Sequence, residues 1–489
     1  MKSRLIVGAL AAGVVGVGAA LWTMREPLRV VADIARVSRS APALLSVRQQ
    51  QRVAALIAFA RARSPYYRDL YKHLPASVDD LRALPVVTKP DLMAHFDDCV
   101  TDPSVTRAGV DAYVADSSLI GKDYLGHYAV WTTSGTTGKP GVFLHDQRAM
   151  LVYTAIVALR SYRWVTPALL WYLWWHGRIA VLVATGGHYA IADWFERARR
   201  SRMLRGHIRI CSVLTPLGEL VGELNDFRPT LLLGYPSVIR LLAEEQRMGR
   251  LRLKPAFIGT GGESLESAVR AQIVEAFGCV VRDNYGASEF PYVAAECAHD
   301  WLHVNADWTL IEPVDAAYRP VPPGQPSYTT LLTNLANRIQ PLIRYDLGDS
   351  ITVKPDPCLC GLTLPAIRVE GRKGDALRLA TVAGGSVAVL PLAVAAVVEE
   401  TPGVRRAQII QTGHSELTLR LEAGEGATAA ESARVWEQVE RRLRDYLAAQ
   451  GLPSVSIVRA PEPPHPDAVS GKYREVWSAL SQSDSSSRL

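Results

Sequence analysis

Between residues 128 and 350 the chain alternates short apolar runs with stretches whose apolar positions recur at helical spacing. Ile179-Ala-Val-Leu-Val-Ala184 and Thr230-Leu-Leu-Leu233 are continuous apolar runs of strand length, and Ser237 to Met248 is amphipathic and helical. Strands without polar alternation are covered on both faces, so this pattern predicts an α/β architecture with helices packed on sheets. Residues 26 to about 130 read as helices and turns punctuated by Arg63-Ser-Pro-Tyr-Tyr-Arg68 and Leu84-Pro-Val-Val-Thr-Lys89, and Pro320-Val-Pro-Pro-Gly324 reads as a surface loop. After Gly371-Arg-Lys-Gly-Asp375 the pattern changes to a smaller unit with strand-like runs at Val404–Ile410 and Leu417–Leu421 and a charged helix from Glu431 to Gln450. The last nine residues, 481–489, are polar and serine-rich and predict a disordered tail.

The N-terminus departs from this pattern. Lys2 and Arg4 precede a charge-free run from Leu5 to Trp22, and Arg25, Arg29, Arg36 and Arg39 follow it. About 20 apolar residues are needed to cross a bilayer as a helix, so residues 1–24 read as a membrane anchor of marginal length. A cleaved signal peptide, with Gly18 and Ala20 at the cut, and a non-spanning hydrophobic extension are the rivals. The larger positive cluster lies after the run, which favours a cytoplasmic main body anchored to the inner membrane by residues 5–22.

Composition adds bounds. The chain has 489 residues, 48% of them hydrophobic, which is enough for more than one domain. A net charge of +6 is mild, and the densest basic group (Arg197, Arg199, Arg200, Arg202, Arg205) reads as a solvated helix face, so nucleic-acid binding has no support. Six cysteines in this length do not make a disulfide scaffold.

The densest chemistry is Trp131-Thr-Thr-Ser-Gly-Thr-Thr-Gly-Lys-Pro140, directly after the apolar Tyr128-Ala-Val-Trp131. Glycines let backbone N–H groups approach a phosphate chain, Ser134, Thr136 and Thr137 add hydroxyl donors, and Lys139 adds a mobile charge. A Walker-type loop is excluded, because Thr133 stands where its first glycine belongs and Pro140 follows the lysine.

This segment resembles the phosphate loop of the adenylate-forming superfamily, which includes acyl-CoA synthetases, luciferases and peptide-synthetase adenylation domains. Further motifs of that superfamily follow in order. Asn284-Tyr-Gly-Ala-Ser-Glu289 resembles Y-G-x-[ST]-E, Arg344-Tyr-Asp-Leu-Gly-Asp349 resembles Y-x-x-G-D, Gly371-Arg372 the G-R before the hinge, and Ser470-Gly-Lys472 the C-terminal G-K. The residue 63–68 and 84–89 segments are similar to the phenylacetate-CoA ligase branch. Asn225–Thr230, Gly234-Tyr-Pro-Ser237 and Asn334-Leu-Ala-Asn337 look closest to relatives of the deazaflavin-coenzyme adenylyl synthetase within it.

The resemblance implies a large N-terminal adenylate-forming domain of packed sheets and helices, residues 25–372, and a small mobile α+β C-terminal domain, residues 373–480. It implies ATP, Mg²⁺ and coenzyme A as cofactors, and the activity of an AMP-forming acid-CoA ligase acting on an aryl or other hydrophobic acid. Ser134, Gly135, Thr136, Thr137, Gly138 and Lys139 would hold phosphates, and Glu289 would bind magnesium. Gly261, Gly262 and Glu263 would lie beside the adenine, Tyr285 against the base, and Asp349 on the ribose hydroxyls. Arg372 would approach ribose and phosphates. Lys472, on a loop expected to precede a short helix, would be the charge partner of the reacting oxygens. Three departures stand out: Gly374 at the hinge position, Gly141 where a lysine is usual, and Ala287-Ser288 within the Y-G-x-[ST]-E motif.

Three questions remain open at this level. Lys472 serves either acyl transfer to coenzyme A or transfer of AMP to a phenolic hydroxyl, and a catalytically silent nucleotide-binding scaffold is the third reading. Trp171, Trp174, Trp175 and His176, with Gly186-Gly-His-Tyr189, form either an acyl pocket or core packing. Cys297, His303, Cys358 and Cys360 have the donor chemistry of structural zinc, with His299 as an alternative to His303; Cys99, Cys211 and Cys279 read as buried small hydrophobes. The oligomeric state is not legible.

Overall fold

The computed structural model describes the chain apart from residues 1–24, 38–41, 76–77, 79, 134–140, 162–176, 214, 373–376, 382–383, 390–393, 396, 399–400, 425, 466–472 and 481–489. The expected tail 481–489, the apolar run 5–22 and the tryptophans at 171, 174 and 175 lie outside the described residues. No helix among the described residues is long and apolar enough to cross a membrane.

The α/β expectation holds. The strands are β1 (Ala129–Thr132), β2 (Val142–His145), β3 (Ile179–Val183), β4 (Ile208–Ser212), β5 (Leu231–Gly234), β6 (Phe257–Gly261), β7 (Val280–Ala287), β8 (Phe290–Glu296) and β9 (Leu302–Val304). They continue with β10 (Thr309–Val314), β11 (Thr329–Asn334), β12 (Tyr345–Asp346), β13 (Asp349–Val353) and β14 (Ala366–Arg372). Among the described residues, nine of these form one sheet in the order β13-β14-β9-β8-β7-β6-β5-β3-β4. From β4 to β7 neighbouring strands run parallel, and from β7 to β13 they run antiparallel.

The parallel half is built from crossover units, with helices Leu217–Phe227, Pro236–Arg247 and Ser267–Phe277 between consecutive strands. Its core is Leu182, Leu220, Leu224, Leu232, Ile239 and Ile258 among others, which explains why those strands read as unbroken apolar runs. The hairpin β1–β2 pairs Thr132 with Val142, so its tips carry the two ends of the 134–140 loop. Arg197 corrects one expectation. It is not solvated: it binds the buried Asp193 at 2.6 Å and also pairs with Asp123.

The C-terminal part has its own sheet. β15 (Leu377–Ala380) pairs with β16 (Ser386–Val389). β17 (Val404–Gly413), β18 (Glu416–Ala423), β19 (Ser456–Arg459) and β20 (Val476–Ser478) are ordered β19-β18-β17-β20. Helix Ala429–Ala449 covers this sheet through Val439, Leu443 and Leu447, and its first turn is fixed by a capping box between Thr428 and Glu431. A strand, β20, follows residue 472 where a short helix was expected; its residues pair with β17.

Candidate active site

The parallel strands end together, and ligands of open α/β sheets sit beyond those carboxyl ends. Here β5, β6 and β7 terminate on a cleft of about 750 Å³ that the C-terminal part closes from the other side through Tyr473 and Arg474. Gly261 ends β6, and Gly262 turns with φ +82°, a left-handed conformation that glycine adopts without strain. The turn delivers Glu263 into the cleft. Its carboxylate accepts from the Ser237 backbone N–H at 3.1 Å and from the Tyr473 backbone N–H at 2.6 Å.

On β7, Tyr285 donates its phenol to Asp349 Oδ2 at 2.6 Å. Asp349 opens β13 and lies opposite Arg372 in the β13–β14 register, so the backbone places both residues at one rim of the cleft. Asp283, one turn of pleat earlier, accepts from the Thr260 hydroxyl at 2.6 Å, and burial pushes its carboxyl up to about 7.

The turn after Tyr285 is set sterically. A Cβ on Gly286 would stand 2.1 Å from the Pro291 carbonyl oxygen, so only glycine fits. The following residues are braced by a hydrogen-bond chain. Asn334 Nδ2 donates to the Glu289 carbonyl at 2.9 Å and to the Tyr153 hydroxyl at 2.8 Å. Tyr153 in turn meets His145 Nδ1 at 3.1 Å, and His145 Nε2 meets the Ser288 carbonyl at 2.9 Å. Burial holds His145 down at about 3, so it is neutral and can donate through one nitrogen while accepting through the other. Asn337 ties the same turn to β2, donating to the Leu144 carbonyl at 2.7 Å. The Asn334-Leu-Ala-Asn337 segment is thereby a brace for Glu289, which is buried.

Ser288 Oγ donates to the Thr132 carbonyl at 3.2 Å, which joins this turn to the hairpin carrying the 134–140 loop. That loop is closed at its neck by Thr133 and Gly141, through Thr133 N to the Gly141 carbonyl at 3.0 Å and Gly141 N to Thr133 Oγ1 at 2.8 Å. Ser134, Gly135, Thr136, Thr137, Gly138 and Lys139 themselves, and Lys472, lie outside the described residues, as does the side chain of Arg372.

Lys89 was missed as a site residue. Its ammonium donates to Thr133 Oγ1 at 3.4 Å, at the neck of the loop. A Cβ at position 141 would lie 2.9 Å from the Phe143 ring and 3.0 Å from Lys89 Cε, so the ring and the lysine stem together fill the space that the absent side chain leaves. The signal was present in two halves, a lysine ending Leu84–Lys89 and a glycine at 141, but only the fold joins them. Val87 bridges to Tyr345, and Thr88 and Asp91 form a capping box, so Lys89 is held at the first turn of a short helix.

Beside the β8–β9 hairpin, Cys297, His303, Cys358 and Cys360 converge, with all four ligand atoms within 4.8 Å of one another. Cys297 and Cys358 sulfurs are 3.7 Å apart, and Cys360 Sγ is 3.2 Å from His303 Nε2. Tetrahedral zinc with sulfur arms of about 2.3 Å separates its sulfurs by about 3.8 Å. His303 Nδ1 donates to the Leu364 carbonyl at 2.8 Å, which aims Nε2 at the sulfurs. His303 and not His299 completes the group, and the backbone N–H of His299 donates to Cys297 Sγ at 3.4 Å. Cys99 and Cys211 are buried and Cys279 partly so.

No protein-family model matches the chain. A phenylacetate-coenzyme A ligase of Thermus thermophilus is 26% identical over 335 residues, which are 64% of this chain and 67% of that protein. A structure of 2-hydroxyisobutyryl-CoA ligase in the postadenylation state with its acyl-AMP superposes with a TM-score of 0.66 at 22% identity, over 90% of each chain. A benzoate CoA ligase from Burkholderia xenovorans gives a TM-score of 0.50 at 17% identity, over 71% of this chain and 67% of that one. The chain therefore has the fold of the adenylate-forming superfamily and is similar to its phenylacetate-CoA ligase-like branch, as the motifs indicate.

Proposed function

We propose that this chain is an ATP-dependent, AMP-forming ligase that adenylates a carboxylic acid and passes the acyl group to coenzyme A. The observation that carries this reading is the convergence of Glu263, Tyr285 and Asp349 on one cleft at the carboxyl ends of parallel strands, with the neck of the hydroxyl-rich loop joined to the Glu289 turn. Two anions must meet when a carboxylate oxygen attacks the α-phosphorus and pyrophosphate leaves, so positive groups and backbone donors are needed where negative charge gathers.

The 134–138 backbone and hydroxyls would hold the β- and γ-phosphates, with the Lys89 and Lys139 ammoniums beside them. The Asp349 carboxylate, oriented by the Tyr285 phenol, accepts from the ribose hydroxyls, an acceptor-only task that an ionised carboxylate suits. Gly261 and Gly262 leave room beside the base. The Glu289 carboxylate would hold Mg²⁺, which supplies charge neutralisation on the phosphates and prefers oxygen ligands. Arg372 and Lys472 would neutralise the reacting oxygens. Residues 25–372 and 373–480 would act as two domains joined near Gly371–Asp375. The C-terminal part has a separate core around Leu377, Leu379, Leu417 and Leu443, and inter-domain surfaces of a polar kind permit rotation.

An aryl or otherwise hydrophobic acid fits the tryptophan-rich 171–175 segment, and a tether through residues 5–22 fits the charge pattern around that run; cytoplasmic ATP and coenzyme A place the catalytic body inside. The Cys297, His303, Cys358 and Cys360 set would take structural zinc.

The test is ATP–pyrophosphate exchange on protein lacking residues 1–24, screened over aryl and fatty acids, with Lys472→Ala alongside. Exchange that depends on one acid class and falls in the variant supports the reading, and thioester formation on adding coenzyme A completes it. Magnesium-dependent ATP binding without exchange on any acid would shift the assignment to AMP transfer onto a hydroxyl or to a silent scaffold.

A further inference from the structure

Among the described residues, two polar contacts between the body and the C-terminal part lie along helix Pro236–Arg247, one at Arg240 and Glu244 and one at its N-terminus, where Ser237 holds Glu263. At the first, Arg405 on β17 reaches Glu244 of that helix, with Nε 3.0 Å from Glu244 Oε2, while Arg240 of the same helix donates to the Arg405 carbonyl. Arg405 is itself held in place, because Nη1 pairs with Glu422 at 2.7 Å on the neighbouring strand. At the second, the Glu263 carboxylate receives the Tyr473 backbone N–H at 2.6 Å. Tyr473 is rigidly joined to the first point, since its hydroxyl donates at 2.6 Å to the Ala407 carbonyl, two residues beyond Arg405 on the same strand.

We infer that Glu244 and Glu263 form a two-point latch for the C-terminal part. Glu244 grips it through the Arg405 guanidinium, Glu263 grips it through the Tyr473 amide, and the rigid path from Arg405 to Tyr473 makes the two grips release together. Gln408 supports this path from within. Its buried carboxamide donates to the His465 and Arg474 carbonyls at 2.9 and 3.0 Å and accepts from the His465 N–H at 3.2 Å, so the chain entering and leaving residues 466–472 is stapled to β17. Closing the latch therefore holds Tyr473 and Arg474 against the cleft. Glu244 is a positioning residue: it touches no substrate and sets the fraction of molecules whose C-terminal part is seated for acid adenylation. This consequence rests on the ligase reading; the latch itself does not.

The experiment uses Glu244→Lys, which turns the grip into a repulsion, and the charge-swapped Glu244→Lys/Arg405→Glu pair, in which Arg406 still neutralises Glu422 at 3.1 Å. Hydrogen–deuterium exchange of the Tyr473 amide reads the latch without any substrate. The expected result is exchange at Tyr473 faster by on the order of tenfold in Glu244→Lys, recovering in the swapped pair. With the responsive acid, ATP–pyrophosphate exchange falls by a similar factor, whereas conversion of a supplied acyl-adenylate to thioester does not fall. Unchanged protection at Tyr473 in Glu244→Lys would overturn the latch, as would faster exchange that the swap leaves uncorrected. A wild-type protein silent in pyrophosphate exchange but responsive at the Tyr473 amide would overturn the ligase reading and leave the latch standing.

Discussion

Replacing Lys89 by methionine should weaken ATP binding about thirtyfold. The side chain is half-buried at the neck of the hydroxyl-rich loop, with its ammonium 3.4 Å from Thr133 Oγ1 and its stem against Gly141. A phosphate held by that loop would lie about 5 Å from the ammonium; at an effective dielectric of about 30, intermediate between protein surface and water, one charge pair contributes about 2 kcal/mol, or roughly thirtyfold in affinity. Methionine keeps the length and apolar stem, so packing against Gly141 and the capping box of the helix should survive. The assay is equilibrium titration of ATP with magnesium, followed by pyrophosphate exchange to separate the Michaelis constant for ATP from turnover.

A relocation variant sharpens the test. In wild-type protein a side chain at position 141 would collide with the Phe143 ring and the Lys89 stem, so Gly141→Lys alone should bind ATP worse. In Lys89→Ala the stem is gone and the Phe143 ring has room to shift into its place, so Gly141→Lys added to it should recover about tenfold by returning an ammonium to the same neck. ATP affinity within twofold of wild type in Lys89→Met, or no recovery in the relocated variant, would refute the assignment of Lys89 as a phosphate ligand.

Three further outcomes are expected. Tyr285→Phe removes the donor that orients Asp349 and should raise the ATP dissociation constant about fivefold to tenfold, with a larger loss in Asp349→Asn, measured by the same titration. Asp283 carries a carboxyl raised from 3.8 to about 7, so the folded state holds its proton more tightly than the unfolded one; its stabilising effect is present below about pH 4 and is lost as pH rises to about 7. Three units correspond to a ceiling of about 4 kcal/mol, and about half of that is expected for a half-buried group, so Asp283→Asn should gain about 2 kcal/mol over wild type at pH 8 and nothing at pH 4 in denaturant titrations. A parallel pH dependence in both proteins would contradict this. Cys358→Ser should lower bound zinc from about one per chain to near zero by elemental analysis and reduce Tm by about 5 °C, and an equal zinc content in the variant would count against the site.

Much of the candidate site was legible because its chemistry is local. Gly286 must be glycine for a contact with Pro291, five residues away, and Gly262 for a turn inside its own segment, so such requirements leave their mark along the chain. The unbroken apolar runs of β3 and β5 likewise announce a covered parallel sheet. Less legible was anything that depends on which strands become neighbours. Tyr285 was expected on the base; that its phenol also meets Asp349 follows from the end of β7 and the start of β13 bordering one cleft. Arg197 looked like part of a solvated basic face, but the buried Asp193 beneath it is visible only when helix Ala190–Arg199 is packed against the β1–β2 hairpin, where Trp131 Nε1 donates to the same carboxylate at 2.9 Å.

By itself, then, the sequence determined most element types (β20, read as a helix, is an exception), the order of the motifs and the chemical identity of the groups available to bind a nucleotide and a metal, since glycines, hydroxyls and apolar periodicity act within a few residues. Tertiary structure alone decided which of those groups meet. It chose His303 over His299 through the pairing of β9 with β14, set Lys89 in the space left by Gly141, and joined Glu263 to Tyr473 across 210 residues. The physical reason is that such contacts follow from strand order and register, which the summed burial of the whole core selects and no local segment encodes.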